Sequence, residues 1–110
     1  MAVETGQDAM LAEIVRRIVE AVDPDKIILF GSRARGDNRP DSDFDLLVIK
    51  ESKETKHRRT VPILRSLWVI PAPVDVVWYT PDEFEDWSGI RTHLVGRVLR
   101  EGQVVHEKTR

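Results

Sequence analysis

The stretch that decides the fold is KIILFGSRARGDNRPDSDFDLLVIK, which spans residues 26–50. Its two apolar runs, residues 26–30 and 43–50, predict two buried strands, because apolar and β-branched residues favour the interior of a sheet. Gly31 ends the first run. Residues 32–42 are rich in Arg, Asp, Asn, Gly and Pro, which predicts a loop whose first turn could open a short helix.

Helix and strand patterns alternate on both sides of this stretch. Apolar spacing predicts helices over 8–22, 53–68 and about 90–101, a third strand at 74–79 and an optional short fourth strand at 104–106. Pro62 predicts that the second helix starts or kinks there, and Gly102 is expected to end the last helix in a left-handed conformation. Thr80, Pro81 and Glu83 have the pattern of a capped helix start. The fold class is therefore α/β (α+β), a small mixed sheet with helices packed on it.

Length and composition narrow the possible protein classes. The chain has 110 residues, 41% of them hydrophobic and 33% charged, which fits a single domain over 1–110. It has no cysteine, so disulfides and thiolate metal sites are excluded. No apolar run is long enough for a membrane span, and the start MAVETGQDAMLAEIV lacks the pattern of a secretory signal, so a cytoplasmic protein is expected. A net charge of −2 argues against a dedicated non-specific nucleic-acid binder.

Two carboxylates open the second predicted strand. Alternate side chains of a strand share one face, so Asp43 and Asp45 are expected side by side, while Phe44 points into the core. Carboxylates that close repel each other unless a cation lies between them, and Mg²⁺ or Mn²⁺ prefers such oxygen ligands. The alternative is that Asp43 belongs to a turn and Asp45 is a solvated position near the strand start.

A third carboxylate, Asp75, interrupts the apolar run at 74–79. If this strand pairs beside the strand that follows Asp43, the Asp75 side chain reaches the same place from a neighbouring ladder, about 5 Å away. Three carboxylates on neighbouring strands are the protein half of a two-metal phosphoryl or nucleotidyl transfer site. The alternative is a strand-edge acid paired with an arginine.

Gly31 and Ser32 follow the first predicted strand directly. A glycine lets a phosphate approach the backbone closely, and the serine hydroxyl and N–H can bind phosphate oxygens. Arg33 and Arg35 add positive charge where a triphosphate would lie. The sequence has no Walker loop, and the alternative is a glycine-punctuated turn with solvated arginines, which is the favoured interpretation of Gly36.

Basic and aromatic residues elsewhere have simpler interpretations. The basic cluster is expected to be a solvated helix face, since a nucleic-acid role lacks an interleaved set of stacking aromatics; it consists of Lys53, Lys56, His57, Arg58 and Arg59. The large aromatics are expected to be core or interface groups; they are Trp68, Trp78, Tyr79 and Trp87.

Gly31-Ser32, followed after residues 33–42 by Asp43-Phe44-Asp45, resembles the signature of the DNA polymerase beta-like nucleotidyltransferase superfamily. The run GSRARGDNRPDSDFDLLV is similar to its smallest branch, the stand-alone minimal nucleotidyltransferases of the MntA-like antitoxin type. The similarity continues through VDVVWYTPDEFED and LREGQVVHE, so it covers nearly the whole chain. The resemblance implies a polymerase beta-like nucleotidyltransferase fold.

The resemblance also implies roles for six residues. Asp43, Asp45 and Asp75 would be ligands of Mg²⁺, with two ions expected and Mn²⁺ as an alternative, and Asp75 would also help to deprotonate the attacking hydroxyl. Gly31 and Ser32 would hold the β- and γ-phosphates of the nucleotide, and Arg33 would contact phosphate. The implied reaction transfers a nucleoside monophosphate, AMP from ATP in the favoured hypothesis, to an acceptor hydroxyl.

The acceptor is expected to be a partner protein. Related larger transferases carry an additional acceptor-binding domain, whereas the minimal branch resembles the antitoxin of a two-gene pair whose other member is a small helical HEPN protein. In such pairs the transferase can adenylylate its partner, often on a tyrosine. The alternatives are a non-catalytic binding module and a nucleotide-binding scaffold. The sequence leaves open the nucleotide, the acceptor and whether the chain forms homo- or hetero-oligomers.

Overall fold

Helices and strands alternate along the computed structural model, which describes residues 6–90 and 93–109. The elements are α1 (Gly6–Val22), β1 (Lys26–Phe30), α2 (Ser32–Arg35), β2 (Phe44–Ile49), α3 (Lys56–Arg59), α4 (Val61–Ser66), β3 (Val74–Tyr79), α5 (Pro81–Ser88), α6 (Leu94–Glu101) and β4 (Gln103–Glu107). The predicted fold class is confirmed: a small mixed sheet carries the helices, and the fourth strand is present. None of the described helices is long and apolar enough to cross a membrane.

The four strands form one sheet in the order β3-β2-β1-β4. Strand β1 is antiparallel to both β2 and β4, whereas β2 and β3 are parallel. The end of β1 and the starts of β2 and β3 therefore meet at the same edge of the sheet. The register pairs Asp45 with Phe30 on one side and with Asp75 on the other.

Both faces of the sheet are covered by apolar packing. On one face, Phe44, Leu46 and Val48 of β2 pack in a cluster with residues from α1 and α4. On the other face, Leu47 and Ile49 of β2 pack in a second cluster with residues from α6. Full burial of such a side chain contributes about 1.5–3 kcal/mol. Because the strand alternates, Asp45 belongs to the second face, at its open end.

The helix predicted over 53–68 is two short helices, α3 and α4, separated at Thr60. Pro62 lies in the first turn of α4, where its missing N–H would have no partner within the helix in any case. The last helix begins at Leu94 rather than near residue 90, and residues 91 and 92 lie outside the described residues. Asp43 precedes β2 instead of opening it.

The left-handed conformation predicted for Gly102 is wrong. Its φ and ψ are −77° and 159°, because the chain passes from α6 into β4 in extended form. A side chain is excluded there by packing: a Cβ would lie 2.5 Å from the Val98 carbonyl oxygen and 2.6 Å from Ile28 Cγ2. The left-handed helix cap is Gly36, with φ 85°, at the end of α2.

The capped helix start predicted at Thr80 is present. Thr80 Oγ1 accepts a hydrogen bond from the Glu83 N–H at 3.2 Å, and Glu83 Oε1 accepts one from the Thr80 N–H at 2.9 Å. The same carboxylate accepts bonds of 2.6 and 3.1 Å from the guanidinium of Arg59. Arg59 is buried, which corrects the expectation that the whole basic cluster is solvated. This ion pair joins α3 to α5.

Candidate active site

Three carboxylates lie at the sheet edge where β2 and β3 begin. Asp45 and Asp75 are the second residues of these parallel strands and are register partners, so their strands are about 4.8 Å apart. Asp43 comes directly before β2. Asp43 and Asp75 are exposed and Asp45 is half-buried, while Phe44 is buried in the core. The structure therefore places all three predicted carboxylates at one open edge.

Negative charge predominates over positive charge at this edge. Burial raises the pKa of the Asp45 carboxyl above its ordinary value, and the negative charges of Asp75 and Asp43 raise it further. The positive charges of Arg35 and Arg97 oppose this effect without cancelling it. A group of like charges held at one edge favours the binding of a cation.

The donor atoms at this edge are all oxygens, which is the chemistry that Mg²⁺ and Mn²⁺ prefer. Within residues 6–90 and 93–109, however, no three aspartate, glutamate, histidine or cysteine side chains converge into a ready-made metal cluster. Like-charged carboxylates repel one another when no cation lies between them. The oxygen donors and their position on neighbouring strands nevertheless fit a divalent cation.

Gly31 lies directly against the Asp45 carboxylate. It is buried and has a φ of 77°, a conformation that other residues adopt at a cost. A Cβ built on Gly31 would collide with Oδ2 of Asp45. Gly31 caps the start of α2, whose first residue is the half-buried Ser32. The two residues expected to bind phosphate therefore lie at the same edge as the carboxylates.

The sequence also allows an alternative role for Asp75, that of an acid paired with an arginine. In the described part of the chain, its side chain is exposed and forms no ion pair. A structural ion pair therefore does not account for an acidic residue in this apolar strand.

Arg33 was expected to contact phosphate. Its guanidinium instead donates hydrogen bonds to the carbonyl of Ser42 at 2.7 and 3.0 Å and to the carbonyl of Pro40 at 3.1 Å. It also stacks over the Phe44 ring, 4.0 Å from the centroid. Arg33 is buried, so these contacts hold the loop that leads into Asp43.

The positive charges of two other arginines favour the ionised form of Asp45. Arg35 contacts Glu101 at 3.0 Å and Asp37 at 3.2 Å, and its charge also reaches Asp45. Arg97 is an exposed residue of α6, and its charge likewise favours the ionised form of Asp45. Sequence reasoning missed Arg97 because it is distant from the motif in the chain. Its neighbours Val95 and Val98 in the helix pattern indicate a packed helix, but they do not show which strand end lies beside it.

Residues 9–105 match a protein-family model described as the nucleotidyltransferase domain. The chain belongs to this family. The predicted resemblance to the nucleotidyltransferases is thereby confirmed, and the match covers every candidate site residue. No curated protein sequence matches the chain.

Several solved structures share this fold. A toxin–antitoxin structure with AMP-PNP superimposes with a TM-score of 0.65 at 19% identity, over 89% of this chain and 73% of that one. A protein of Sulfolobus solfataricus assigned as a nucleotidyltransferase gives 0.65 at 20% identity, over 91% and 79%. A mutant of the toxin–antitoxin MntA-HpeT gives 0.56 at 17% identity, over 96% and 76%. At these identities the likeness establishes the fold.

Proposed function

We propose that this chain transfers a nucleoside monophosphate, AMP from ATP, to a hydroxyl group of an acceptor. The observation that carries the proposal is the register of Asp45 and Asp75 on parallel strands, directly beside Gly31, in a nucleotidyltransferase domain. This arrangement brings acidic ligands and a glycine turn to one edge, which is what a metal-dependent nucleotidyl transfer requires.

Asp43, Asp45 and Asp75 are proposed to hold Mg²⁺, two ions in the expected arrangement, with Mn²⁺ as the alternative. When bound, the metal supplies Lewis-acid stabilisation of the phosphate charge and lowers the pKa of the attacking hydroxyl. Asp45 is the central ligand in this proposal, because it is half-buried, lies against Gly31 and is the register partner of Asp75.

The other residues at the edge have separate roles. Gly31 and Ser32 bind the β- and γ-phosphates. The hydroxyl oxygen of the acceptor attacks the α-phosphorus, pyrophosphate leaves, and the exposed carboxylate of Asp75 takes the hydroxyl proton. Arg97 adds positive charge on the α6 side of the edge, where it favours the binding of a triphosphate.

Arg33 is proposed to position the site rather than to react in it. Its hydrogen bonds to Pro40 and Ser42 fix the loop immediately before Asp43. Its direct contact with phosphate stays a prediction.

The acceptor is proposed to be a HEPN-type helical protein, modified on a tyrosine, with this chain as the antitoxin of the pair. Two observations support this proposal: toxin–antitoxin structures share the fold, and one of them was solved with AMP-PNP, an analogue of ATP. The cytoplasmic location stays a prediction.

The second candidate is a binding module that neutralises its partner by contact alone. The observation in its favour is the side chain of Trp68, which is 87% exposed in the turn after α4, outside the candidate active site.

Label transfer separates the two candidates. The chain is incubated with α-labelled ATP, Mg²⁺ and a purified HEPN-type helical protein. We expect covalent label on that protein, and a loss of at least about 1,000-fold in Asp43→Asn plus Asp45→Asn, since several kcal/mol of transition-state stabilisation are removed. Asp41→Asn, an exposed acid of the same loop, is the matched control.

Absence of label from the wild type, or equal label from the double variant, would reject the transfer reaction. Protection of cells from the partner provides the second readout. Full protection by the double variant would favour the binding module.

A further inference from the structure

An exposed apolar stripe runs along α4 and the turns that follow it. It consists of Val61, Leu64, Trp68 and Val69, of which Trp68 is 87% exposed. Positions 61, 64, 65 and 68 have the spacing of one helix face. The opposite face of α4 packs Ile63 into the core, so the stripe contributes nothing to the core. A contiguous apolar surface of this kind marks an interaction site.

Positive charge without a partner accompanies this α4 stripe. Arg65 lies within it and Arg58 precedes it; both are exposed, and neither forms an ion pair with any carboxylate of the described residues. Other arginines of the chain do form such pairs, as Arg16 does with Glu13 and Arg59 with Glu83. The stripe therefore presents apolar side chains together with guanidinium groups that are free to bind carboxylates.

This charge pattern disfavours a second copy of the chain as the occupant. In a two-fold interface each stripe would face its own equivalent, which would bring the unpaired guanidinium groups of Arg58 and Arg65 close to those of the other copy. Like charges across an interface cost several kcal/mol. A different protein that carries carboxylates among apolar residues is complementary to the stripe.

The stripe lies on the far side of α4, which covers the face of the sheet opposite to the Asp45 side chain. Strand β2 runs away from the catalytic edge, α3 and α4 return, and β3 starts at that edge with Asp75. The connector is tied to the edge, since the Pro73 carbonyl accepts a hydrogen bond from the Phe44 N–H at 3.0 Å. The chain that follows Trp68 and Val69 thus runs to the edge at which Asp75 lies.

A cleft of about 450 Å³ lies at the other end of the stripe. Its lining includes Arg58, Val61 and Trp78. A cleft beside an exposed aromatic residue provides a place for an apolar side chain of a partner, and such anchored side chains contribute most of the energy of an interface.

We propose that the α4 stripe docks the protein partner of this chain: a helical surface with exposed apolar residues flanked by carboxylates. This inference rests on the proposed function, in which a protein hydroxyl is the acceptor. Helices pack by fitting side-chain ridges into grooves, and a stripe at helical spacing fits this geometry.

Affinity measurements with the same HEPN-type helical protein test this surface. We expect Trp68→Ala to raise the Kd at least tenfold, which corresponds to about 1.4 kcal/mol. Leu64→Ala is expected to weaken binding, whereas Leu99→Ala is expected to leave the Kd within about twofold. Leu99 is the matched control for Leu64, since each side chain is 52% exposed on a helix.

The charge of Arg65 is tested separately. Arg65→Glu is expected to raise the Kd at least tenfold, whereas Arg65→Lys keeps the charge and is expected to raise it by less than about threefold. In the transfer reaction these surface variants are expected to raise the KM for the partner and leave kcat unchanged, because they do not touch the reacting atoms.

The outcomes distinguish this surface from the proposed reaction. Stripe-dependent binding without label transfer would reject the reaction and retain the surface. Label transfer that Trp68→Ala leaves unchanged would reject the surface and retain the reaction. Absence of binding by the wild type, or self-association of the chain that Trp68→Ala abolishes, would also overturn the surface.

Discussion

Two half-buried carboxylates of this small domain, Asp45 and Glu83, have pKa values that are shifted in opposite directions. The pKa of Asp45 is raised by burial and by the charges of Asp75 and Asp43. The pKa of Glu83 is lowered from 4.5 to about 2, mainly by its hydrogen bonds from Arg59. Each acid lies beside the sheet, but only Glu83 has an ion-pair partner among the described residues.

We interpret this difference as the contrast between an acid proposed to act in the site and a structural acid. The Arg59–Glu83 pair is satisfied within the chain and also completes the capping box of α5, so its role is to join two helices. The surroundings of Asp45 disfavour its ionised form and raise its pKa, through burial and through the charges of Asp75 and Asp43. An acid held at such a cost indicates a site that is completed by another group.

The largest effect is expected for Asp45→Asn. Transfer should fall at least about 1,000-fold, because a proposed ligand of the cation is lost. The Tm should equal or exceed that of the wild type at neutral pH, because removal of the charge relieves its burial and the repulsion from Asp75. Label transfer and thermal unfolding measure the two effects.

A clear drop in Tm for Asp45→Asn would show that Asp45 is structural after all, like Glu83. The control is Asp41→Asn, which should change neither activity nor Tm.

Gly31→Ala is expected to have an intermediate effect on both properties. A Cβ at this position meets the Asp45 carboxylate, and the φ of 77° is strained for alanine. We expect a loss of about 2–3 kcal/mol in the free energy of unfolding and of at least about 100-fold in transfer. Denaturant titration and label transfer provide the readouts.

Gly36→Ala separates the two causes, because Gly36 also has a positive φ, of 85°, but no atom within 4 Å of the added Cβ. It should lose about 1–2 kcal/mol of stability and retain activity. Equal activity in the two alanine variants would contradict the close approach of Gly31 to the site.

The smallest effect is expected for Glu83→Gln, which retains the capping box and removes the ion pair. A carboxyl whose pKa is lowered on folding stabilises the protein above its ordinary pKa of 4.5, and this contribution is lost as the pH falls toward about 2. The variant should therefore be less stable by about 1–2 kcal/mol at pH 7, with the difference vanishing near pH 2. Transfer should stay within about twofold of the wild type.

Urea unfolding of both proteins across this pH range measures the effect. Glu85→Gln, an exposed acid on the same helix, is the control. A Glu83→Gln deficit that persists undiminished at pH 2 would show that the stabilisation does not come from the ionised pair.

The positions of the candidate catalytic residues could be predicted from sequence, because they depend on short-range rules. Strand alternation puts Phe44 in the core and Asp45 on the other face. Asp75 has the same place in a second apolar strand, and the parallel pairing confirms that these strands are neighbours. The roles of these residues stay predictions until they are measured.

The functions of the arginines could not be predicted from sequence. The hydrogen bonds of Arg33 to the loop before Asp43 have no signal in the sequence, and Arg59, which is predicted to be solvated, is buried beside Glu83. A guanidinium reaches far from its own backbone, so its partner depends on the three-dimensional neighbours. The exposure of Trp68 could not be predicted from sequence either, because helical spacing does not distinguish the buried face of α4 from the exposed one.

The sequence by itself determined the order of helices and strands, the strand faces of the acids and the family, because these follow from local periodicity and from a motif of fixed spacing. Only the tertiary structure decided that Gly31 touches Asp45, that Arg97 faces the same edge, and that Trp68 lies exposed at the end of α4. These contacts join segments distant in the chain, and they are set by how the helices pack on the two faces of the sheet.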